Sequence, residues 1–284
     1  MKKYNLPNFN KYFKGDFSGY TNGIASKNRG NAFEIDFCNN FEYYVEDFAK
    51  CVGLDSDQFE NATLDLVGGQ NTRRPLNIKN GKITIGDIKT SGNALADVVI
   101  KTNDKSYNAS LKFGNSVTFI NCGINKLFKK QDFENYKKSG VFDVNNEGQQ
   151  LLDFFGIEPD KFAQIYINYI GHKKYSSEKD AVDVTDKAKS KEFYDFLKSV
   201  IGYNYILIHK DAKNNVHYYD LLSEKQLEDF IGRIQKMEVF YPKNGIGKRV
   251  DIVLETSKLY IKFNIRSKDG GVYPTHLMAD YTIK

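Results

Sequence analysis

The chain has 284 residues, of which 40% are hydrophobic and 27% are charged, a balance that is ordinary for a globular protein with its own apolar core. The formal net charge of +5 permits a polyanionic partner without requiring one. The 3 cysteines form no CxxC pair, which argues against a disulfide framework or a zinc ribbon and favours a reducing cytoplasm.

At the start of the chain, basic residues are not followed by an apolar segment, so we expect no signal peptide and, without a long apolar run, no membrane span. The first strong pattern predicts a helix over 31–52. Asn31 and Glu34 are typical of an N-cap and its capping-box partner. The apolar residues at helical spacing are Phe33, Phe37, Phe41, Tyr44, Val45, Phe48 and Val52.

The middle of the chain alternates between strand and helix patterns. "ATLDLVGG" predicts a strand or short helix, "GGQNTRRP" a loop, and "GKITIGDIKTSGN" a strand and a turn. Residues 97–100 and 106–113 predict two paired strands joined by the turn "TNDK". Further helices are expected over 131–138, 147–155, 158–169, 190–202 and 223–237, the last with Ser223 and Gln226 as a capping box.

The remaining segments complete the element order. Residues 171–190 are polar and predict a loop, 203–222 predict a hairpin, and the tail from Val250 predicts strands broken by "KDGG". This order favours an α/β (α+β) class with a mixed central sheet flanked by helices. We expect a single domain over 1–284, with a catalytic core of about 20–222 and a β-rich C-terminal part of about 223–284.

The segment 97–114, "DVVIKTNDKSYNASLKFG", carries the strongest chemical pattern. Asp97 opens the first strand, while Ser110 and Lys112 lie two residues apart on the second and therefore point to one face. If the strands pair, Asp97 converges with both at one edge of the sheet. A carboxylate beside a lysine can hold a divalent cation and orient or activate a water that attacks a phosphate.

An acid that opens a strand, a turn, and then acid-x-Lys resembles the signature of the PD-(D/E)XK nuclease superfamily. The sequence "SGNALADVVIK…YNASLK" is similar to that of type II restriction endonucleases, and the resemblance covers about 86–114 together with the helix at 31–52. It implies a restriction-endonuclease-like fold, a Mg²⁺ cofactor, and hydrolysis of double-stranded DNA to 5′-phosphate and 3′-hydroxyl ends. Homodimerisation would let two sites cut two strands.

The resemblance also implies roles for individual residues. Asp97 would be the main metal ligand, Leu111 would contribute its backbone carbonyl, Glu34 would bring a carboxylate from the helix, and Lys112 would position the attacking water. Ser110 departs from the pattern, which has Glu or Asp there. A neutral hydroxyl is a weaker Mg²⁺ ligand than a carboxylate, so the number of metal ions stays open. Turn capping, an edge lysine and the capping box are the structural alternatives for these residues.

A competing register takes Asp65 as the first acid and Asp87 to Lys89, "DIK", as the second strand. It restores the missing carboxylate, but its lysine falls at a strand end, directly before "TSGN". Asp87 could instead be an additional acid of the same site.

Three segments are candidates for DNA contact, because amide and arginine side chains read base edges and cations bind phosphates. A solvated loop or a charge-protected edge hairpin explains the same residues. Four functional hypotheses remain: a sequence-specific endonuclease, a non-catalytic DNA-binding module on a degenerate nuclease fold, a non-specific phage-type nuclease, and an unrelated protein with a structural Asp97–Lys112 salt bridge. The candidate DNA contacts are Gln70, Asn71, Arg73, Arg74, Lys248, Arg249, Arg266, Lys268, Tyr273 and His276.

Overall fold

The computed structural model describes residues 25–67, 74–79, 81–115, 117–169, 179–243, 249–267 and 271–284. The helices are α1 Ala25–Asn39, α2 Val45–Cys51, α3 Ser91–Leu95, α4 Lys130–Ser139, α5 Asn146–Phe155, α6 Pro159–Ile167, α7 Thr185–Ala188, α8 Lys191–Ile201 and α9 Glu224–Ile231. The strands are β1 Thr63–Leu66, β2 Leu76–Lys79, β3 Lys82–Ile85, β4 Val98–Lys101, β5 Ser106–Phe113, β6 Val117–Gly123, β7 Lys179–Asp183, β8 Tyr205–Lys210, β9 Val216–Leu221, β10 Ile234–Pro242, β11 Arg249–Thr256, β12 Leu259–Arg266 and β13 His276–Ile283.

The fold is of the mixed α+β class, and the chain divides into two compact units. The first unit takes its residues from 1–72, 88–117 and 202–230, and the second from 73–87, 118–201 and 231–284. The expected boundary near residue 222 does not describe this division, because β10–β13 share their sheet with β6 and β7 from the middle of the chain.

The first unit is built on a mixed five-stranded sheet of order β1-β4-β5-β8-β9, in which only the β5–β8 pair is parallel. α1 packs against β1 and β5, and α2 packs against β9. Alternate residues of the strands, among them Leu64, Val98 and Ile208, are fully buried against these helices. One face of the sheet is therefore the core of this unit.

The predicted helix over 31–52 is interrupted. α1 begins at Ala25, so Asn31 lies inside the helix and the expected capping box with Glu34 is wrong. A 3₁₀ turn over 41–43 separates α1 from α2, and the Asn40 side chain donates to Asp36 Oδ1 at 2.8 Å where α1 ends. The helical spacing of apolar residues continues across the break, because α1, the 3₁₀ turn and α2 all place phenylalanines in one core. The ring centre of the buried Phe41 lies 5.4 Å from that of Phe37 and 6.0 Å from that of Phe48.

The second unit contains an antiparallel six-stranded sheet of order β6-β13-β12-β11-β10-β7 and a β2–β3 hairpin. α6 packs against β10 and β11, and α8 packs against β3. The predicted helix over 223–237 ends earlier, at Ile231, because Gly232 adopts a φ of 70° and its successors enter β10. The predicted tail strands are confirmed.

Candidate active site

The predicted pairing of the two strands in 97–114 is confirmed. β4 and β5 are antiparallel with Val98 opposite Ala109, which sets Asp97 opposite Ser110. The Asp97 amide extends the ladder by one bond, donating to the Ala109 carbonyl at 2.8 Å. Because side chains alternate along a strand, Ser110 and Lys112 then lie on the face that Asp97 occupies.

One oxygen of the Asp97 carboxylate collects three donors. Its Oδ2 accepts from the Leu111 amide at 2.7 Å, from Ser110 Oγ at 3.2 Å and from Lys112 Nζ at 3.2 Å. The Asp97 and Lys112 side chains are 19% and 20% exposed, so solvent reaches the pair. Among the described residues no donor is directed at Oδ1, which leaves that oxygen for a cation or water.

The backbone of Leu111 faces Asp97. In a strand the N–H and C=O of one residue point to the same side, so the carbonyl of Leu111 is directed toward Asp97 together with its amide. A backbone carbonyl is a hard oxygen ligand of the kind that Mg²⁺ accepts.

Glu34 brings a second carboxyl group into the field of this pair. Its pKa is raised to about 8, chiefly by burial and then by the Asp97 carboxylate, while the Lys112 ammonium partly opposes the shift. Since α1 runs through residue 34, helix capping does not explain this side chain. Two acids and one lysine therefore interact here, an arrangement that carries excess negative charge when both acids are ionised.

Asp36, two positions after Glu34, is the centre of a polar cluster that the sequence did not indicate. Tyr44 donates to Asp36 Oδ2, and Lys210 Nζ lies 3.7 Å from the same oxygen. Lys210 also lies 5.3 Å from the ring centre of Phe33. The i, i+4 spacing of Asp36 and Asn40 is the only local signal for this cluster, because Lys210 arrives from the distant strand β8.

His209 is a further neighbour, lying beside Lys112 in the parallel pairing of β5 and β8. Its Nε2 donates to the Gly114 carbonyl at 2.5 Å, and burial lowers its pKa. Burial therefore favours the neutral imidazole, whose hydrogen bond ties β8 to the segment that follows β5. On α1, burial raises the pKa of Cys38 to about 12, which argues against a nucleophilic thiolate.

The competing register is wrong in its second strand. β3 ends at Ile85, and residues 87–89 are not in a strand. Asp65 does lie on a strand, but its Oδ2 forms a surface ion pair with Lys101 Nζ at 2.5 Å. Asp87 as an additional acid stays a prediction.

Within the described part of the chain, no group of three or more His, Cys, Asp or Glu side chains converges as a metal-binding set. The ligands that the resemblance implies are not three such side chains but two carboxylates, Asp97 and Glu34, and the backbone carbonyl of Leu111. Asp97 and Glu34 interact electrostatically, and both can offer hard oxygen atoms.

Several predicted DNA contacts have internal partners instead. Arg74 donates to the carbonyls of Ser199 and Val200 at the end of α8. The Tyr273 hydroxyl donates to Glu134 Oε1 at 2.6 Å, and its ring stacks on that of Phe133, with ring centres 4.7 Å apart. Arg249, Arg266 and His276 lie on one row of the six-stranded sheet. The other candidates, Gln70, Asn71, Arg73, Lys248 and Lys268, lie outside the described residues.

In the ranges that the structure describes, no helix is long and apolar enough to cross a membrane. Comparison with known proteins gives no family model, no curated protein and no solved structure that matches this chain.

Proposed function

We propose that the chain is a Mg²⁺-dependent endonuclease that hydrolyses phosphodiester bonds of double-stranded DNA, with a restriction-endonuclease-like catalytic sheet in its first unit. The observation that carries the proposal is the convergence of Asp97, Ser110 and Lys112 on one face of two adjacent interior strands of a mixed sheet. The reaction is inferred from the superfamily resemblance of about 86–114 and the helix at 31–52, and the products would be 5′-phosphate and 3′-hydroxyl ends.

The donor set fits a magnesium ion. Asp97, Glu34 and the Leu111 carbonyl offer oxygen ligands, which Mg²⁺ prefers. The raised pKa of Glu34 reflects a desolvated carboxyl beside a second carboxylate, and a divalent cation would relieve that repulsion. When bound, the ion would polarise the phosphate and acidify a water molecule.

The side chains of the chain have separable roles in this proposal. Lys112 is held 3.2 Å from Asp97 and is partly exposed, so it can orient the attacking water and stabilise negative charge on the phosphate. Ser110 is fully buried and donates to Asp97, so it orients the carboxylate instead of ligating the ion. Asp97 keeps Oδ1 for the cation, while Oδ2 is fixed by its three donors.

A non-catalytic DNA-binding module on a degenerate nuclease fold is the second candidate. The observation that favours it is that Ser110 is neutral and that Lys112 already has an internal carboxylate partner. A nuclease without sequence specificity, such as a phage-type DNA-degrading enzyme, would use the same residues. A cytoplasmic location and a homodimer that cuts both strands belong to the restriction-type proposal.

Incubation of supercoiled plasmid with the protein, in Mg²⁺ or in EDTA, separates these candidates. We expect Mg²⁺-dependent cutting that Asp97→Asn and Lys112→Ala each reduce by roughly 10²- to 10⁴-fold, the contribution typical of a positioned acid–base group. Lys101→Ala is the matched control, because that lysine lies on the adjoining strand in an ion pair with Asp65.

Each outcome assigns one candidate. Discrete fragments with sequenced, uniform ends indicate a specific endonuclease, and a continuous smear indicates a non-specific one. DNA binding without cutting indicates the non-catalytic module. If the protein neither cuts nor binds unmodified DNA, all three candidates are refuted. If Lys101→Ala loses as much cutting as Asp97→Asn and Lys112→Ala, the assigned site is refuted.

A further inference from the structure

The six-stranded sheet of the second unit has one apolar and one polar face. Val250, Ile265 and Leu277 are fully buried on the apolar face. On the polar face, the strand register aligns four residues in a row that we call the basic row. Lys179 lies opposite Pro242, Arg249 lies opposite Arg266, and Arg266 lies opposite His276. The basic row is therefore Lys179, Arg249, Arg266 and His276.

A buried carboxylate holds two of these cations in place. Asp251 is 2% exposed, its Oδ2 pairs with Lys179 Nζ, and its Oδ1 lies 3.0 Å from Arg249 Nε. The side chains of Lys179 and Arg249 are each 30% exposed, so solvent reaches both side chains. Because one carboxylate faces two cations among the described residues, this part of the cluster keeps a positive charge.

Arg266 adds a third cation, and no acid among the described residues neutralises it. Its Nε donates to Met278 Sδ at 3.1 Å, and no described carboxylate forms an ion pair with its guanidinium. A thioether is a weak acceptor, so this contact orients the side chain without satisfying its charge.

The charge of the polar face changes sign along the strands. Four residues along from the basic row, the register aligns Asp183 with Glu238, and Lys262 with Asp280. Four residues correspond to about 13 Å along a strand. A polyanion is therefore attracted to the basic row and repelled from the row of Asp183, Glu238 and Asp280. The polar face thus favours binding of a polyanion along the basic row.

We propose that the basic row binds the phosphate backbone of duplex DNA, with Asp251 as the residue that positions Arg249 and Lys179. This inference rests on the proposed function for its choice of polyanion. Neighbouring strands are about 4.8 Å apart, so the row extends about 19 Å across the sheet. That length corresponds to about five or six nucleotides of one strand.

The test measures binding of a fluorescein-labelled 30-base-pair duplex by anisotropy in EDTA, so that cutting does not interfere, across 50–200 mM KCl. The slope of log K against log salt is negative, and removal of two phosphate contacts reduces its magnitude by about 1.8. Binding then weakens on the order of 50-fold at 0.1 M salt. We expect this of Arg249→Ala/Arg266→Ala. The control Lys130→Ala/Lys138→Ala removes two exposed cations of the same unit and should leave both quantities unchanged.

Two further variants separate local recognition from diffuse charge. Arg266→Ala alone, which breaks no ion pair between described residues, should reduce the steepness of the salt dependence by about 0.9. Asp251→Asn removes a negative charge, so net charge alone predicts tighter binding, whereas loss of positioning predicts weaker binding with a smaller slope. Thermal unfolding followed by circular dichroism verifies that each variant is folded at the assay temperature.

The proposal is overturned by an unchanged slope in the folded Arg266→Ala variant, by equal losses in the control, or by tighter binding of Asp251→Asn. The proposed function fails separately. Suppose that the basic-row variants weaken DNA binding, but that Asp97→Asn leaves cutting intact or that the protein does not cut at all. DNA binding by the basic row is then supported, and the proposed active site is refuted. If the basic-row variants bind DNA as the wild type does and their cutting still depends on Asp97, the active site is supported and DNA binding by the basic row is refuted.

Discussion

Glu34 should make the stability of the metal-free protein fall as the pH rises. Its pKa is raised from 4.5 to about 8, chiefly by burial and then by the Asp97 carboxylate. Between these two values the folded chain retains a proton that the unfolded chain has released. The free energy of unfolding therefore decreases with pH through this window, and the stabilising effect of the retained proton is fully present below pH 4.5.

The size of this effect follows from the shift. A pKa difference of about 3.5 units at about 1.4 kcal/mol per unit gives on the order of 5 kcal/mol between the two ends of the window. Glu34→Gln retains the shape and hydrogen-bonding capacity of the neutral acid but does not ionise. The variant should match the wild type near pH 5 and exceed its stability by several kcal/mol at pH 8.

Urea unfolding in EDTA at pH 5, 6, 7 and 8, followed by circular dichroism, measures the difference. Glu42→Gln, at an exposed position, is the control and should follow the wild type at every pH. Parallel profiles for wild type and Glu34→Gln would refute the reasoning. Mg²⁺ at one hundred times its Kd should then stabilise the wild type at pH 8 by about 2.7 kcal/mol and the Glu34→Gln variant by less.

Three other substitutions test the packing around the site and in the second unit by urea unfolding. Phe48→Ala removes a fully buried ring and should cost about 3–5 kcal/mol, and a loss below 1 kcal/mol would contradict its place in the core. Gly92→Ala would normally favour a helix, but its Cβ would lie 2.1 Å from the Asn204 carbonyl oxygen, so we expect destabilisation by about 1–3 kcal/mol, and stabilisation would contradict the close approach. Arg74→Ala removes the donor to two carbonyls in the last turn of α8 and should lower the free energy of unfolding by about 1–3 kcal/mol. An unchanged stability would contradict this structural role of Arg74.

The central part of the site could be predicted because it is local in sequence. Asp97 and Lys112 belong to two strands joined by a four-residue turn, and alternation along β5 sets Ser110 and Lys112 on one face. The parallel partner β8 lies about one hundred residues later, and no local pattern specifies that pairing. Lys210 and His209 were missed for this reason.

The capping box of Asn31 and Glu34 shows how a local motif can mislead. The spacing satisfies the rule, but α1 starts six residues earlier and leaves Glu34 partly buried. The division into units was likewise hidden from the sequence. β6 and β7 join β10–β13 in one antiparallel sheet, and strand order in a sheet depends on long-range packing.

Ser110 accounts for the charge balance of the proposed site. The superfamily acid at this position would add a third carboxylate beside Asp97 and Glu34 against the single ammonium of Lys112. Ser110 is fully buried, and an ionised carboxylate there without a new partner would be strongly disfavoured. The hydroxyl instead keeps the orienting hydrogen bond to Asp97 and adds no charge. When a cation displaces the Glu34 proton, two carboxylates and one lysine leave one net negative charge, a balance that we expect to favour a single divalent cation over two.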